Sequence, residues 1–133
     1  MKKALLVLAM VAAFASCKKE NNTPTNNTLF GRWELAATHG GWSGPVAVKS
    51  GNGDMYQFNK DSSYTRYVDN KVTAQGKFSI HLNETRDTLK FGTISFTNPT
   101  YKDAWMQSAS GRIIIGSSAA DGPSYEYRKI SNK

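Results

Sequence analysis

The chain has 133 residues, of which 39% are hydrophobic and 11% aromatic, and its formal net charge at pH 7 is +7. The basic residues are scattered, and no run of them is longer than two. A nucleic-acid-binding surface needs a basic stripe with interleaved aromatic residues. The composition therefore predicts a globular protein that does not bind nucleic acid.

The first 16 residues have the pattern of an export signal. Lys2 and Lys3 precede an apolar run over residues 4–15, which ends at Ser16. A short basic region followed by about a dozen apolar residues is typical of a secretory signal and is too short to remain as a membrane-spanning helix. Residues 1–16 are therefore expected to be a lipoprotein signal peptide outside the fold.

Cys17 is the only cysteine of the chain, so an internal disulfide is impossible although export is predicted. Residues 14–17 resemble the lipobox of bacterial lipoproteins, which implies that Cys17 becomes the acylated N-terminus. Two or more acyl chains anchor a protein stably where a single chain does not. Residues 18–20 resemble an outer-membrane sorting pattern. We expect an outer-membrane lipoprotein that faces either the periplasm or the cell surface.

Residues 21–28 contain no apolar side chain. Such a segment cannot contribute to a core and is predicted to be flexible. We interpret residues 17–28 as the acylated cysteine with a polar linker, and residues 29–133 as one domain.

Turn signals recur about every ten residues in this domain, which favours an all-β meander. Eight strands with short hairpins predict an antiparallel up-and-down barrel, since closure removes the exposed edges of a flat sheet. The predicted strands are residues 30–38, 54–59, 63–68, 71–81, 88–96, 101–107, 112–116 and 124–130.

Two glycines mark expected irregularities in these strands. Residues 71–81 alternate between apolar and polar side chains, and Gly76 within them predicts a bend or a bulge. The apolar face of residues 88–96 changes parity near Gly92, which also predicts a bulge.

Gly31 and Trp33 form a Gly-x-Trp motif at the start of the first strand, and basic residues follow Tyr127 in the last. Over residues 29–130 this arrangement resembles the lipocalin (calycin) family, and residues 121–125 resemble bacterial lipocalin-like lipoproteins. The resemblance implies that Trp33 plugs one end of the barrel, that Gly31 lets the chain turn beneath it and that Arg128 stacks on the indole. Such a cation–π contact contributes about 0.5 to 2 kcal/mol.

Strand alternation complicates the choice of Arg128. If Tyr125 and Tyr127 point inward, Lys129 shares their face and Arg128 does not. Either the strand kinks before Arg128, or Lys129 is the cation on Trp33, or the stacking does not exist.

Residues 39–53 contain five glycines and a proline. A loop of this length in a small domain is usually functional or disordered. In lipocalin-like barrels the longest loop is a lid over the open end, which implies that Trp42 lies at its tip. The indole either gates the barrel or folds back and pins the loop.

The chain carries no recognisable catalytic or metal-binding motif. His39 and His81 lie far apart and lack further ligands at zinc spacing, and neither a nucleophile elbow nor a phosphate-binding loop occurs. The carboxylates are expected at turns or on solvated strand faces. We predict a protein that is not an enzyme and needs neither cofactor nor metal.

Two functions remain for such a barrel. The first is a cup for a small apolar or amphipathic ligand, with Phe58 and Phe78 interpreted as core and the following residues as candidate lining: Trp42, Tyr56, Tyr64, Tyr101 and Trp105. The second is a filled barrel that binds an envelope protein, as an inhibitor or an accessory subunit, through Arg32, Trp42 and the aromatics of residues 101–105. An open interior favours the ligand, and a filled core with an exposed aromatic patch favours the partner.

Overall fold

Antiparallel β-strands make up the structure, a computed structural model that describes residues 29–41, 44–116 and 122–131. The strands are β1 (Gly31–His39), β2 (Val46–Ala47), β3 (Met55–Phe58), β4 (Ser63–Val68), β5 (Lys71–Arg86), β6 (Leu89–Phe96), β7 (Tyr101–Ser108), β8 (Arg112–Gly116) and β9 (Ser124–Ile130).

The strands close into an eight-stranded barrel. Around the barrel the strands are hydrogen-bonded in the order β1, β3, β4, β5, β6, β7, β8 and β9, and β9 pairs with β1. The short strand β2 is additional and pairs with the end of β1. Successive strands run in opposite directions, so the connections alternate between two ends. We call the end that holds the start of β1 the lower end, and the end that holds the β1–β3 loop the upper end. The predicted all-β antiparallel barrel is confirmed.

The largest error in the predicted strands is the length of β5. It continues to Arg86, five residues beyond the predicted end at His81, and pairs with β6 throughout this extension. The alternation of side chains does not predict this extension, because a register shift between Leu82 and Glu84 interrupts the alternation at Asn83. The bulge expected at Gly92 therefore lies on β5, opposite Gly92, and not within β6.

Gly76 does not mark the irregularity expected of it. The register shift in the β4–β5 hairpin lies nearer its turn, between the pairs Arg66–Ala74 and Tyr67–Val72. It turns Val72 outward, where it is 54% exposed. A Cβ on Gly76 would collide with the backbone carbonyl of Thr97, so glycine is needed there for the close approach of two chain segments.

Lys129, and not Arg128, stacks on Trp33. The two residues are register partners on β9 and β1, and the Lys129 Nζ lies 5.4 Å from the centroid of the indole. Trp33 is fully buried, and its Nε1 donates a hydrogen bond to the Leu29 carbonyl oxygen at 2.6 Å. Regular alternation along β9 explains the correction, because Tyr127 and Lys129 point inward and Arg128 points outward.

Arg128 closes the barrel by a different contact. Its Nε and Nη2 donate hydrogen bonds to Glu34 Oε2 at 3.0 Å and 2.8 Å. The Ser50 hydroxyl and the Gly51 amide donate to the same carboxylate, which joins β9, β1 and the long loop. Burial alone would raise the pKa of Glu34, but the hydrogen bonds and the charge of Arg128 lower it overall.

We expect Glu34→Gln to destabilise the barrel by about 2 to 4 kcal/mol at pH 7, because it leaves the largely buried Arg128 without its counter-charge. Since the pKa of Glu34 is lower in the folded chain than in the unfolded one, its stabilisation is fully present above the unfolded value near pH 4.3. It is lost as the pH falls through the folded value. Urea unfolding followed by tryptophan fluorescence at pH 7 and pH 3 measures both effects.

Glu84→Gln is the matched control, since Glu84 pairs with Arg86 at the surface. It should leave the unfolding midpoint nearly unchanged. An equal decrease in the free energy of unfolding in the two variants would contradict the role assigned to Glu34. So would a Glu34→Gln protein whose stability depends on pH in the same way as that of the wild type.

Candidate functional site

The lower and middle parts of the barrel interior are filled by aromatic side chains. The Tyr56 ring lies 5.4 Å from Phe58, 5.6 Å from Phe96 and 5.3 Å from Tyr127 between ring centroids. These rings form a core with other buried residues from the strands: Trp33, Leu35, Tyr64, Phe78, Ile94, Trp105, Ile113 and Ile115. The interpretation of Phe58 and Phe78 as core residues is therefore confirmed.

Three of the candidate lining residues come together in this packing. The hydroxyls of Tyr56 and Tyr101 are hydrogen-bonded at 3.1 Å, and the Tyr64 hydroxyl donates to the Thr97 and Asn98 carbonyl oxygens at 2.8 Å and 3.2 Å. Burial raises the pKa of Tyr64 and Tyr101, so both phenols stay neutral. Tyr56 and Tyr64 are over nine-tenths buried and support the site from below, whereas Tyr101 is partly exposed.

Several side chains on the inner face of the barrel meet solvent. Their register places them on this face, yet they are partly exposed, and Tyr125 is 40% exposed. We call these residues the cup: Arg66, Ala74, Tyr101, Asp103 and Tyr125. The interior thus combines a packed aromatic floor with partly exposed side chains near the upper ends of their strands.

Arg66 is the cation of the cup. Its guanidinium carbon lies 4.6 Å from the centroid of Tyr56 and 5.9 Å from that of Tyr127, within cation–π range of both rings. Its Nη1 donates hydrogen bonds to the Met55 and Tyr67 carbonyl oxygens at 3.2 Å and 2.8 Å. The side chain therefore lies flat on the aromatic floor.

Asp103 is the carboxylate of the cup and lies on the opposite wall. It is the register partner of the core residue Ile94, so it points inward between Tyr101 and Trp105. Its Oδ1 accepts a hydrogen bond from the Ala104 amide at 3.2 Å, and no salt bridge to it is formed by the described residues. Burial raises the pKa of Asp103 above its ordinary value.

Trp105 lies deeper on the same strand face. It is 5% exposed, and its Nε1 is the single buried side-chain polar atom in the described ranges for which no hydrogen-bond partner is found. Unpaired buried donors are rare in folded proteins and call for an explanation. The inner face of β7 thus carries a carboxylate and, two residues further on, an unsatisfied N–H group.

A separate pocket of about 300 Å³ lies on the outer wall. Its lining includes Phe91, Met106 and Ile114, which are register partners on β6, β7 and β8, and also the buried Trp105. The pocket therefore reaches the Trp105 indole, but none of the five cup residues lines it.

Sequence reasoning missed Arg66, Asp103 and Tyr125 as cup residues. The expectation that carboxylates lie at turns or on solvated faces is wrong for Asp103 and for the buried Glu34. Alternation could have found Asp103, since it lies two residues from both Tyr101 and Trp105 in a predicted strand. Trp42 and Cys17, named from the sequence, lie outside the described residues.

The cup offers one cation, one carboxylate and several aromatic faces, a combination suited to holding a small amphipathic molecule. Within residues 29–41, 44–116 and 122–131, no group of three potential metal ligands is found. The same ranges hold no helix long and apolar enough to cross a membrane. Comparisons with protein-family models, with curated proteins and with solved structures give no match.

We expect Trp105→Phe to destabilise the protein less than Trp33→Phe by about 1 kcal/mol or more. The two changes remove the same volume from one core. Trp33 loses a hydrogen bond and part of a cation–π contact, whereas Trp105 loses an N–H group for which the described residues provide no acceptor. Urea unfolding monitored by circular dichroism measures the free energy of unfolding of both variants. Equal destabilisation would mean that the Trp105 indole is hydrogen-bonded in solution.

Proposed function

We propose that the protein is a lipid-anchored, lipocalin-like lipoprotein of the outer membrane that binds a small amphipathic ligand in the cup. The observation that carries the proposal is the division of the barrel interior into a packed aromatic floor and partly exposed inward-facing side chains above it. A ligand bound there would contact Tyr101 and Tyr125, with the Arg66 guanidinium between it and the rings of Tyr56 and Tyr127.

The lipocalin-like assignment rests on the closed eight-stranded barrel and on the buried Trp33 beneath a cation near its lower end. Fold alone does not define a ligand. The argument for ligand binding therefore rests on the cup, whose inward-facing polar and aromatic groups are partly exposed.

A second candidate function is docking of an envelope protein. It is favoured by the outer-wall pocket of about 300 Å³, since three apolar side chains in one row across adjacent strands could receive an anchor residue of a partner. None of the five cup residues lines this pocket, so variants can separate the two sites.

Tyr125→Ala should weaken binding of the neutral fluorescent probe N-phenyl-1-naphthylamine about tenfold, since it removes an aromatic wall from the cup. The measurement is a fluorescence titration of the secreted chain with Cys17→Ser, which keeps it in water. Tyr67→Ala is the matched control, because Tyr67 faces outward beside Arg66.

An unchanged affinity in Tyr125→Ala would remove the cup as the site of this probe. If a charged residue introduced by Met106→Arg abolished binding instead, the outer-wall pocket would be the binding site.

Cys17→Ser should abolish labelling of the protein with radioactive palmitate in a Gram-negative host, because the acyl chains are expected on that sulfur. Ser131→Ala serves as control and should keep the label. Undiminished labelling of Cys17→Ser would contradict the anchor.

A further inference from the structure

Asp103, a carboxylate of the cup to which the described residues form no salt bridge, indicates which charge the ligand carries. Asp103 belongs to neither the packed core nor a surface ion pair: it points inward, is partly buried and is hydrogen-bonded to the adjacent amide. A partly buried carboxylate without a counter-charge costs stability, since desolvation disfavours its ionised form. A ligand cation at this position would offset that cost.

The surroundings of Asp103 suit a cation. Asp103 is partly exposed, and Tyr101 precedes it on the same inner face of β7. A partly exposed carboxylate beside an aromatic ring is a setting that suits an ammonium group.

Arg66 limits where a positive charge can bind. It lies on β4, across the barrel from β7, and its guanidinium covers Tyr56 and Tyr127. Because like charges repel, an ammonium group is disfavoured above these two rings and favoured on the β7 side. The apolar part of the same ligand would then contact the partly exposed rings of Tyr101 and Tyr125.

We propose that the ligand is an amphipathic amine whose protonated nitrogen pairs with Asp103. This inference deepens the function proposed above and rests on it. The pairing is a charge-assisted hydrogen bond, which is stronger than a bond between neutral groups and selects ligands by charge as well as by shape.

Titration of the secreted Cys17→Ser chain with octylamine, 1-octanol and octanoate at pH 7.5 tests this inference, with displacement of N-phenyl-1-naphthylamine as the readout. The three probes share one apolar chain, so their affinities differ by the head group. We expect octylamine to bind at least about tenfold more tightly than 1-octanol, and octanoate to bind most weakly.

Asp103→Asn, which keeps the side-chain shape, should abolish the preference for octylamine while 1-octanol still binds. Asp87→Asn is the matched control, because Asp87 is exposed in the turn between β5 and β6, and it should retain the preference. Circular dichroism establishes that each variant is folded.

Three outcomes would overturn the inference: equal binding of octylamine and 1-octanol by the wild type, tightest binding of octanoate, or an undiminished amine preference in Asp103→Asn. If none of the three probes bound the wild type, the proposed ligand-binding function itself would fail. The charge comparison in the wild type needs no variant and stands even if Asp103→Asn does not fold.

Discussion

The pairing of β1 with β9 is the constraint on which the rest of the structure depends. On the inner side of this pair the fully buried Trp33 lies under Lys129, and on the outer side Glu34 binds Arg128. The two contacts involve consecutive residues on each strand and therefore fix the register from both faces. A slip by one residue would bury a guanidinium and expose an indole, so alternatives to this register are strongly disfavoured.

Closure also explains why the interior is divided. Aromatic residues at alternate positions of β3, β4, β6 and β9 fill a narrow barrel, as expected for eight strands. Towards the upper end the inward positions carry Arg66, Asp103 and Tyr125, and solvent reaches them. The interior therefore has a stable aromatic floor and a polar cup whose side chains are less completely buried.

The sequence predicted the barrel because the alternation of apolar residues survives in most strands. The prediction failed where a bulge changes which face of the strand a side chain occupies. One bulge turns Val72 outward, and another at Asn83 interrupts the alternation, so the last part of β5 was not predicted. Many residue types are found at bulges, so composition alone cannot locate them. At the cup, alternation contained more information than was used. It placed Lys129 on the face of Tyr127 and Asp103 on that of Trp105, whereas the family resemblance favoured Arg128. The charge proposed for the ligand could not be read from the sequence, because the proposal rests on the absence of a counter-charge near Asp103 among the described residues.

We propose that a small amphipathic molecule binds in the cup and not at the outer wall of the barrel. Chemical-shift mapping by NMR during titration of the isotope-labelled protein with octylamine tests it most directly. Shifts concentrated on Arg66, Tyr101, Asp103 and Tyr125 are the predicted result. Shifts concentrated on Phe91, Met106 and Ile114, or no shifts at millimolar concentrations of the amine, would contradict it.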